Sequence, residues 1–104
     1  MSDFIMVFIT TCSRKEAEKI GKNLVEEKLV ACANIVPNIT SIFVWEKKLC
    51  QEKECLVIAK SRRKKFPLVI KRVKELHSYK VPEIIAVPII AGSLDYLKWV
   101  REST

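Results

Sequence analysis

The chain has 104 residues, 49% of them hydrophobic, and a net charge of +7 from 19 Lys and Arg against 12 Asp and Glu. This length and hydrophobic content predict one folded domain, residues 1–104, and exclude a largely disordered chain. No apolar run approaches the roughly 18 residues that a membrane span needs, and residues 1–5 contain neither a basic leader nor a cleavage site. We therefore expect a cytoplasmic protein without a membrane partner.

The four cysteines do not form a zinc-ribbon or thioredoxin-like motif in the sequence, because no C-x-x-C spacing occurs. In a cytosolic chain with an adequate core, reduced thiols are expected. Cys32 lies between two alanines and is predicted to be a small buried hydrophobic residue. Cys50 and Cys55 are five residues apart on one predicted strand, so their side chains should point to opposite faces of the sheet.

Strands are predicted where β-branched and aromatic residues cluster between turn signals. The Pro-Asn pair at 37–38 should end the second run, and a turn near 46–48 should join the third run to the fourth. Pro88 lacks an amide donor, which places the last strand at a sheet edge or at a bulge. The predicted strands are residues 4–11, 29–36, 39–45, 49–60 and 84–90.

Three helices are predicted between and after these strands. Ser13 followed by Glu16 is a capping box that opens the first helix, whose apolar residues recur at helical spacing. Pro67 is tolerated only in a first helical turn, so the second helix should begin close to Lys64. The Gly-Ser pair at 92–93 should open a short C-terminal helix.

The element order β-α-β-β-α-β, followed by the short C-terminal helix, predicts an α+β fold of the ferredoxin-like type. Two helices would cover one face of a four-stranded sheet. Several strands are apolar on both faces, and no third layer remains in the chain to cover the second face. Because an apolar sheet face of that size does not stay in water, we predict self-association through it.

Residues 76–84 form the segment of most functional interest. They contain the only histidine, His77, with Tyr79 and Glu83 close by. The proline of this segment biases the residue before it toward an extended conformation, so the segment should lead from a helix into a strand. Functional groups often lie on such loops. A well-packed connection between a helix and a strand would account for the same residues.

Four segments together resemble the CutA-type divalent-cation tolerance proteins, in the same order and over nearly the whole chain. The resemblance implies a ferredoxin-like subunit in a homotrimer, an architecture shared with the PII signalling proteins. It also implies a non-enzymatic role in tolerance of copper and other divalent cations. The four segments are Leu29-Val-Ala-Cys-Ala-Asn-Ile-Val-Pro37, Ser41-Ile-Phe-Val-Trp-Glu46, Leu76-His-Ser-Tyr-Lys-Val-Pro-Glu-Ile84 and Asp95-Tyr-Leu-Lys-Trp99.

Three positions depart from the family pattern. Ser78 stands where the family loop usually has a proline, so we expect His77 to be held less tightly. Lys47 stands where the hairpin turn usually has a glycine, and a positive φ at that position would cost lysine about 1 kcal/mol. Ile9 occupies the place of a proposed metal-binding cysteine of some members, and Cys12 follows three residues later.

Two kinds of ligand site follow from these residues. His77 with Cys12 would suit Cu(II) or another divalent cation, with further ligands from Glu83 or from a neighbouring subunit. The alternative is a small anionic ligand in a cleft between subunits, as in a PII-like sensor, and the basic run 62–65 supports it. The residues predicted to line that cleft are Trp45, Glu46, Lys60, His77, Tyr79 and Glu83.

Two other classes of protein are disfavoured. An RNA-recognition motif shares this strand order but needs aromatic residues on its third strand, and residues 54–60 contain none. An enzyme is disfavoured because the chain has no Ser/His/Asp order, no glycine-rich phosphate loop and no paired carboxylates around a plausible cleft. We therefore expect no nucleic-acid partner and no catalytic activity.

Overall fold

A computed structural model describes residues 3–104 as four antiparallel strands and three helices. No helix among these residues is long and apolar enough to cross a membrane. In chain order the elements are β1 (Phe4–Thr11), α1 (Arg14–Glu26), β2 (Cys32–Trp45), β3 (Lys48–Arg62), a 3₁₀ turn (Arg63–Lys65), α2 (Phe66–Leu76), β4 (Ile84–Pro88) and α3 (Leu94–Glu102).

The sheet has the strand order β2-β3-β1-β4, so the predicted ferredoxin-like α+β plan is confirmed. The hydrophobic core lies between one face of this sheet and helices α1 and α2. Alternate residues of β1 and β3 point into the core, and each helix contributes one buried stripe. The largest side chains that are completely buried there are Val7, Ile9, Ile20, Leu24, Val30, Val57, Val69 and Val73.

Two strands predicted separately, residues 29–36 and 39–45, form the single strand β2 (Cys32–Trp45), and its start also differs from the prediction. Pro37 and Asn38 do not end it: β2 continues to Trp45, and its pairing with β3 shifts register between Val36 and Ile39. Asn38 has a φ of 63°, as expected for an irregular residue within a bulge. The strand begins at Cys32 rather than at residue 29, because the amide of Leu29 donates to a carbonyl at the end of α1.

The cysteines follow their predictions in part. All four are free thiols. Cys50 and Cys55 lie on opposite faces of β3 as predicted, and burial raises the pKa of the Cys55 thiol. Cys32 is only half-buried and contacts the Asn34 side chain, so its assignment as a buried hydrophobic residue was wrong. It lies near the start of β2, which is an edge strand with a neighbour on one side only.

The last strand ends at Pro88 and not at residue 90, and its position at the sheet edge is confirmed. The chain then turns into α3, which packs against the sheet face opposite α1 and α2. Val100 of α3 is completely buried beside Phe4 and Ala31. The expectation that no element covers this second face was therefore wrong for one end of it.

The rest of that face stays open, and we call it the outer sheet face. Strand pairing places its side chains in adjacent rows, with Phe8 of β1 between Ile58 of β3 and Ile85 of β4. Ile85 is 51% exposed and Val87 is 40% exposed. The apolar residues of the outer sheet face are Met6, Phe8, Val36, Leu56, Ile58, Ile85 and Val87.

The hairpin between β2 and β3 turns through Glu46 and Lys47, with Trp45 paired to Lys48. Both turn residues have positive φ, 50° for Glu46 and 66° for Lys47. Positive φ at both central positions defines a type I′ turn, which matches the twist of the two strands and favours Asn-Gly. The lysine in the glycine place is therefore strained, as the sequence suggested.

Replacing Lys47 with Gly is expected to raise the free energy of unfolding by about 1 kcal/mol, because glycine adopts positive φ without a steric cost. Denaturant titration of the two proteins measures the change. Lys48→Gly is the matched control: Lys48 lies in β3, where glycine costs roughly 0.5–1 kcal/mol. Equal effects of the two substitutions would show that turn strain does not limit stability here.

Candidate functional site

Three chain segments meet at one end of the sheet to form the candidate site. β1 ends at Thr11, and Ser13 caps α1 by accepting a hydrogen bond from the Glu16 amide at 3.1 Å. On the other side, α2 ends at Leu76, and the amide of its C-cap residue His77 donates to the Val73 carbonyl at 2.8 Å. The start of one helix and the end of another are thereby fixed beside the same strand end.

The His77 ring is buried and both of its nitrogens have partners. Nε2 lies 2.7 Å from the Thr10 carbonyl oxygen, which can only accept, so Nε2 carries the proton. Nδ1 is 3.0 Å from the Tyr79 amide nitrogen and accepts its hydrogen bond. The imidazole is therefore neutral in this arrangement, and neither nitrogen has a lone pair free for another partner.

Glu16 joins the strand end to the loop after α2. Its Oε1 accepts from the Cys12 amide at 3.3 Å and from the Cys12 thiol at 3.5 Å. Its Oε2 accepts from the Ser78 amide at 2.8 Å and lies 4.0 Å from His77 Nδ1. Burial works to raise the pKa of Glu16, but the hydrogen bonds from Ser78 and Cys12 outweigh it and hold that pKa below its usual value. The carboxylate is charged at neutral pH.

These contacts change two expectations from the sequence. Only one of the two hydrogen bonds of the capping box forms. The Ser13 hydroxyl accepts from the Glu16 amide as predicted, but the Glu16 carboxylate accepts from the Cys12 amide and from the loop after α2. Ser78 adds an attachment of the His77 loop, because its amide donates to Glu16. A proline at 78 has no amide hydrogen, so the bond from the Ser78 amide to Glu16 exists because serine stands there.

Tyr79 ties the loop to β3. Its ring lies 4.7 Å from that of His77, and its hydroxyl donates to Glu54 Oε2 at 2.6 Å. Burial raises the pKa of Tyr79, and the Glu54 carboxylate raises it further, so the phenol stays protonated. The sequence did not single out Glu54 as a site residue, because its partner lies 25 residues away and no local pattern joins them.

The six residues predicted to line an anion cleft do not come together in one chain. Trp45 and Glu46 lie at the tip of the β2–β3 hairpin, whereas Lys60 lies twelve residues beyond Lys48 on β3. At about 3.3 Å per residue, Lys60 is therefore about 40 Å along the strand from Lys48, which is next to the hairpin tip. His77 and Tyr79 are in contact. Glu83 is exposed, immediately before β4.

Within one chain, the residues do not fit a metal centre. Cys12 is exposed, and its sulfur lies 3.8 Å from the Ser78 hydroxyl. His77 would have to give up one of its two hydrogen bonds to bind an ion. Among residues 3–104, no group of three or more His, Cys, Asp and Glu side chains converges in a way that could hold a metal. Metal binding by His77 and Cys12 stays a prediction.

The fold and this loop together define a class of protein: a ferredoxin-like α+β domain with an open apolar sheet face and a polar network whose groups hydrogen-bond to one another. The sequence profile of the family described as CutA1 divalent ion tolerance protein matches residues 5–103. The chain belongs to this family, as its sequence motifs indicated.

Known relatives agree with this assignment. The "Divalent-cation tolerance protein CutA" of Thermus thermophilus is 48% identical over 99 residues, which cover 95% of this chain and 96% of the relative. The human "Protein CutA" is 38% identical over 97 residues, and the match covers 93% of this chain but 54% of the human protein. The chain therefore spans about half the length of this relative.

Solved structures of relatives share the fold closely. The "Divalent cation tolerance protein (Cut A1)" of Thermus thermophilus superposes with a TM-score of 0.95 at 46% identity, covering 97% of this chain and 98% of that one. CutA1 from Oryza sativa gives 0.95 at 40% identity, with 97% and 93% covered. The "Periplasmic divalent cation tolerance protein CutA" of Archaeoglobus fulgidus gives 0.93 at 44% identity, with 96% and 97% covered.

Proposed function

We propose that this protein acts in tolerance of divalent cations as a non-enzymatic homotrimer, with copper as the first cation to test. Family membership supports the tolerance role. The absence of a reaction is supported by the polar network, since the neutral His77 ring has both nitrogens engaged and offers no free base. The observation that carries the trimer is the outer sheet face.

The outer sheet face has the character of an interface between subunits. Its apolar residues are contiguous across β1, β3 and β4, and α3 covers only one end of it. Exposed apolar patches of this kind mark sites of protein association. A second and a third copy of the chain would cover this face, and three is the number that the family resemblance implies.

A metal site in this assembly would draw ligands from more than one subunit. Cys12 is the exposed thiol nearest His77, and thiolate and imidazole are the ligands that copper and zinc favour. One subunit supplies too few free donors for tight binding, so the proposal places the ion between subunits. His77 would contribute there once its bond from the Tyr79 amide opened.

Native mass spectrometry of the reduced protein, with and without one equivalent of Cu(II) per chain, tests both parts. We expect a trimer that retains copper, and a Cys12→Ser trimer that loses it. Cys50→Ser is the control, because Cys50 lies along the hairpin, away from the His77 loop. A monomer would contradict the assembly, and a trimer that sheds copper would contradict the metal site.

One observation favours the alternative, a sensor of small anions between subunits. The Lys60 ammonium lies on the outer sheet face and is hydrogen-bonded to the neutral Asn34 side chain. A second copy that covered this face would bury the ammonium, and a buried charge requires a counter-charge.

The cytoplasmic location stays a prediction: relatives carry the names "Protein CutA, chloroplastic" in Arabidopsis thaliana and "Periplasmic" in Archaeoglobus fulgidus.

A further inference from the structure

A groove that is separate from the His77 network runs between α2 and the segment 80–84 that leads into β4. Its volume is about 390 Å³, toward the lower end of the range for small-molecule sites. The groove has an apolar surface with a cation from each wall. Its lining residues are Ile70, Lys74, Lys80, Val81, Pro82 and Ile84.

The two lysines of the groove lack acidic partners. Both side chains are exposed, and neither ammonium forms a salt bridge with a carboxylate of residues 3–104. The nearest acidic residues in the sequence do not neutralise them. Glu75 pairs with Arg72 at 3.3 Å, and Glu83 does not line the groove. The two ammonium groups therefore create a local positive potential next to the apolar surface of the groove.

Both walls of the groove are held in place before any ligand binds. On one side α2 is anchored through the completely buried Val69 and Val73. On the other, the segment is fixed at Ser78 by the bond to Glu16, and Ile84 pairs with Ile9 of β1. A preformed groove loses little conformational entropy on binding, which favours even a small ligand.

From these features, the geometry points to a binding site for a small organic anion that has a ring or short hydrocarbon body. The body would contact Val81, which is 65% exposed, and Ile84. The acidic group would lie between Lys74 and Lys80, where two charge-assisted contacts are available. An inorganic anion would leave the apolar walls wet, and a neutral hydrocarbon would leave the two ammonium groups unpaired.

The test is an NMR titration of the ¹⁵N-labelled full chain with naphthalene-2-sulfonate, which combines an aromatic body with one anionic group. We expect saturable shifts centred on the amides of Lys74, Lys80, Val81 and Ile84. Inorganic sulfate and neutral 2-naphthol, each with half of the recognised chemistry, should bind about tenfold more weakly or worse.

Lys74→Gln with Lys80→Gln should weaken the binding of the sulfonate about tenfold or more, because both charged contacts are lost. The matched control is Lys64→Gln with Lys71→Gln, which removes the same charge from exposed lysines that do not line the groove. An equal loss in both double variants would reduce the effect to general electrostatics. Shifts centred elsewhere, no saturation in the millimolar range, or binding only after subunits dissociate would also overturn the assignment.

Discussion

Replacing His77 with Ala is expected to lower the free energy of unfolding by about 2 to 4 kcal/mol. The substitution removes a buried ring that accepts from the Tyr79 amide and donates to the Thr10 carbonyl. Each buried group that loses its partner costs about 1–3 kcal/mol. Urea titration at neutral pH, followed by circular dichroism, measures the change. The loop that joins α2 to β4 would lose its main attachment to β1.

Glu83→Ala is the matched control for this experiment. Glu83 belongs to the same loop but is exposed, so its removal should change stability by no more than about 0.5 kcal/mol. If His77→Ala were as stable as the parent protein, the imidazole would not be the centre of the network. Unchanged stability would instead fit a histidine that serves metal binding alone. Removal of such a histidine would weaken copper retention and leave the free energy of unfolding unchanged.

The second large effect concerns assembly: replacing Ile85 and Val87 with Asp is expected to convert the proposed trimer into monomers. Two carboxylates would enter the centre of an apolar contact, and burying an unpaired charge costs several kcal/mol. Neither side chain is part of the core between the sheet and helices α1 and α2. The subunit should therefore keep its fold, and sedimentation velocity would report the loss of mass.

Leu68→Asp provides the control, because Leu68 is as exposed as Ile85, at 51%, but lies on α2 and away from the outer sheet face. This variant should remain trimeric. Dissociation of both variants would indicate a general effect of added negative charge. A trimer that persists after the double substitution would mean that subunits associate through another surface, such as the exposed apolar residues Val44, Trp45 and Leu49 of the β2–β3 hairpin.

The polar network has a consequence for how ligands could act on this protein. Glu16, His77 and Tyr79 connect the ends of β1 and α2 to β3 through hydrogen bonds that all lie in one chain. An ion bound to Nδ1 of His77 would break the hydrogen bond from the Tyr79 amide. Movement of Tyr79 would also disturb the hydrogen bond from its hydroxyl to Glu54. Metal binding at His77 would thus be coupled to the position of the loop.

Local pattern was sufficient for much of this fold. The apolar alternation and β-branched runs located β1 and β3, and Pro67 placed the start of α2 within a residue or two. Ser13 was recognised as a cap because capping depends on residues three apart. The sequence also predicts the open apolar face, because strands that are apolar on both sides need a packing layer on each face of the sheet. The glycine place in the hairpin turn marked Lys47 as a residue that a positive φ would strain, and its φ is positive.

Only the tertiary structure decided the site. The sequence singled out His77 as the one histidine, but its protonated nitrogen depends on Thr10, 67 residues away. Glu16 was visible as a helix cap, and its bond to Ser78 spans 62 residues. The bulge that carries β2 past Pro37 depends on pairing with β3. Contacts between distant segments form only when the sheet aligns them, because no local propensity specifies which side chains will meet.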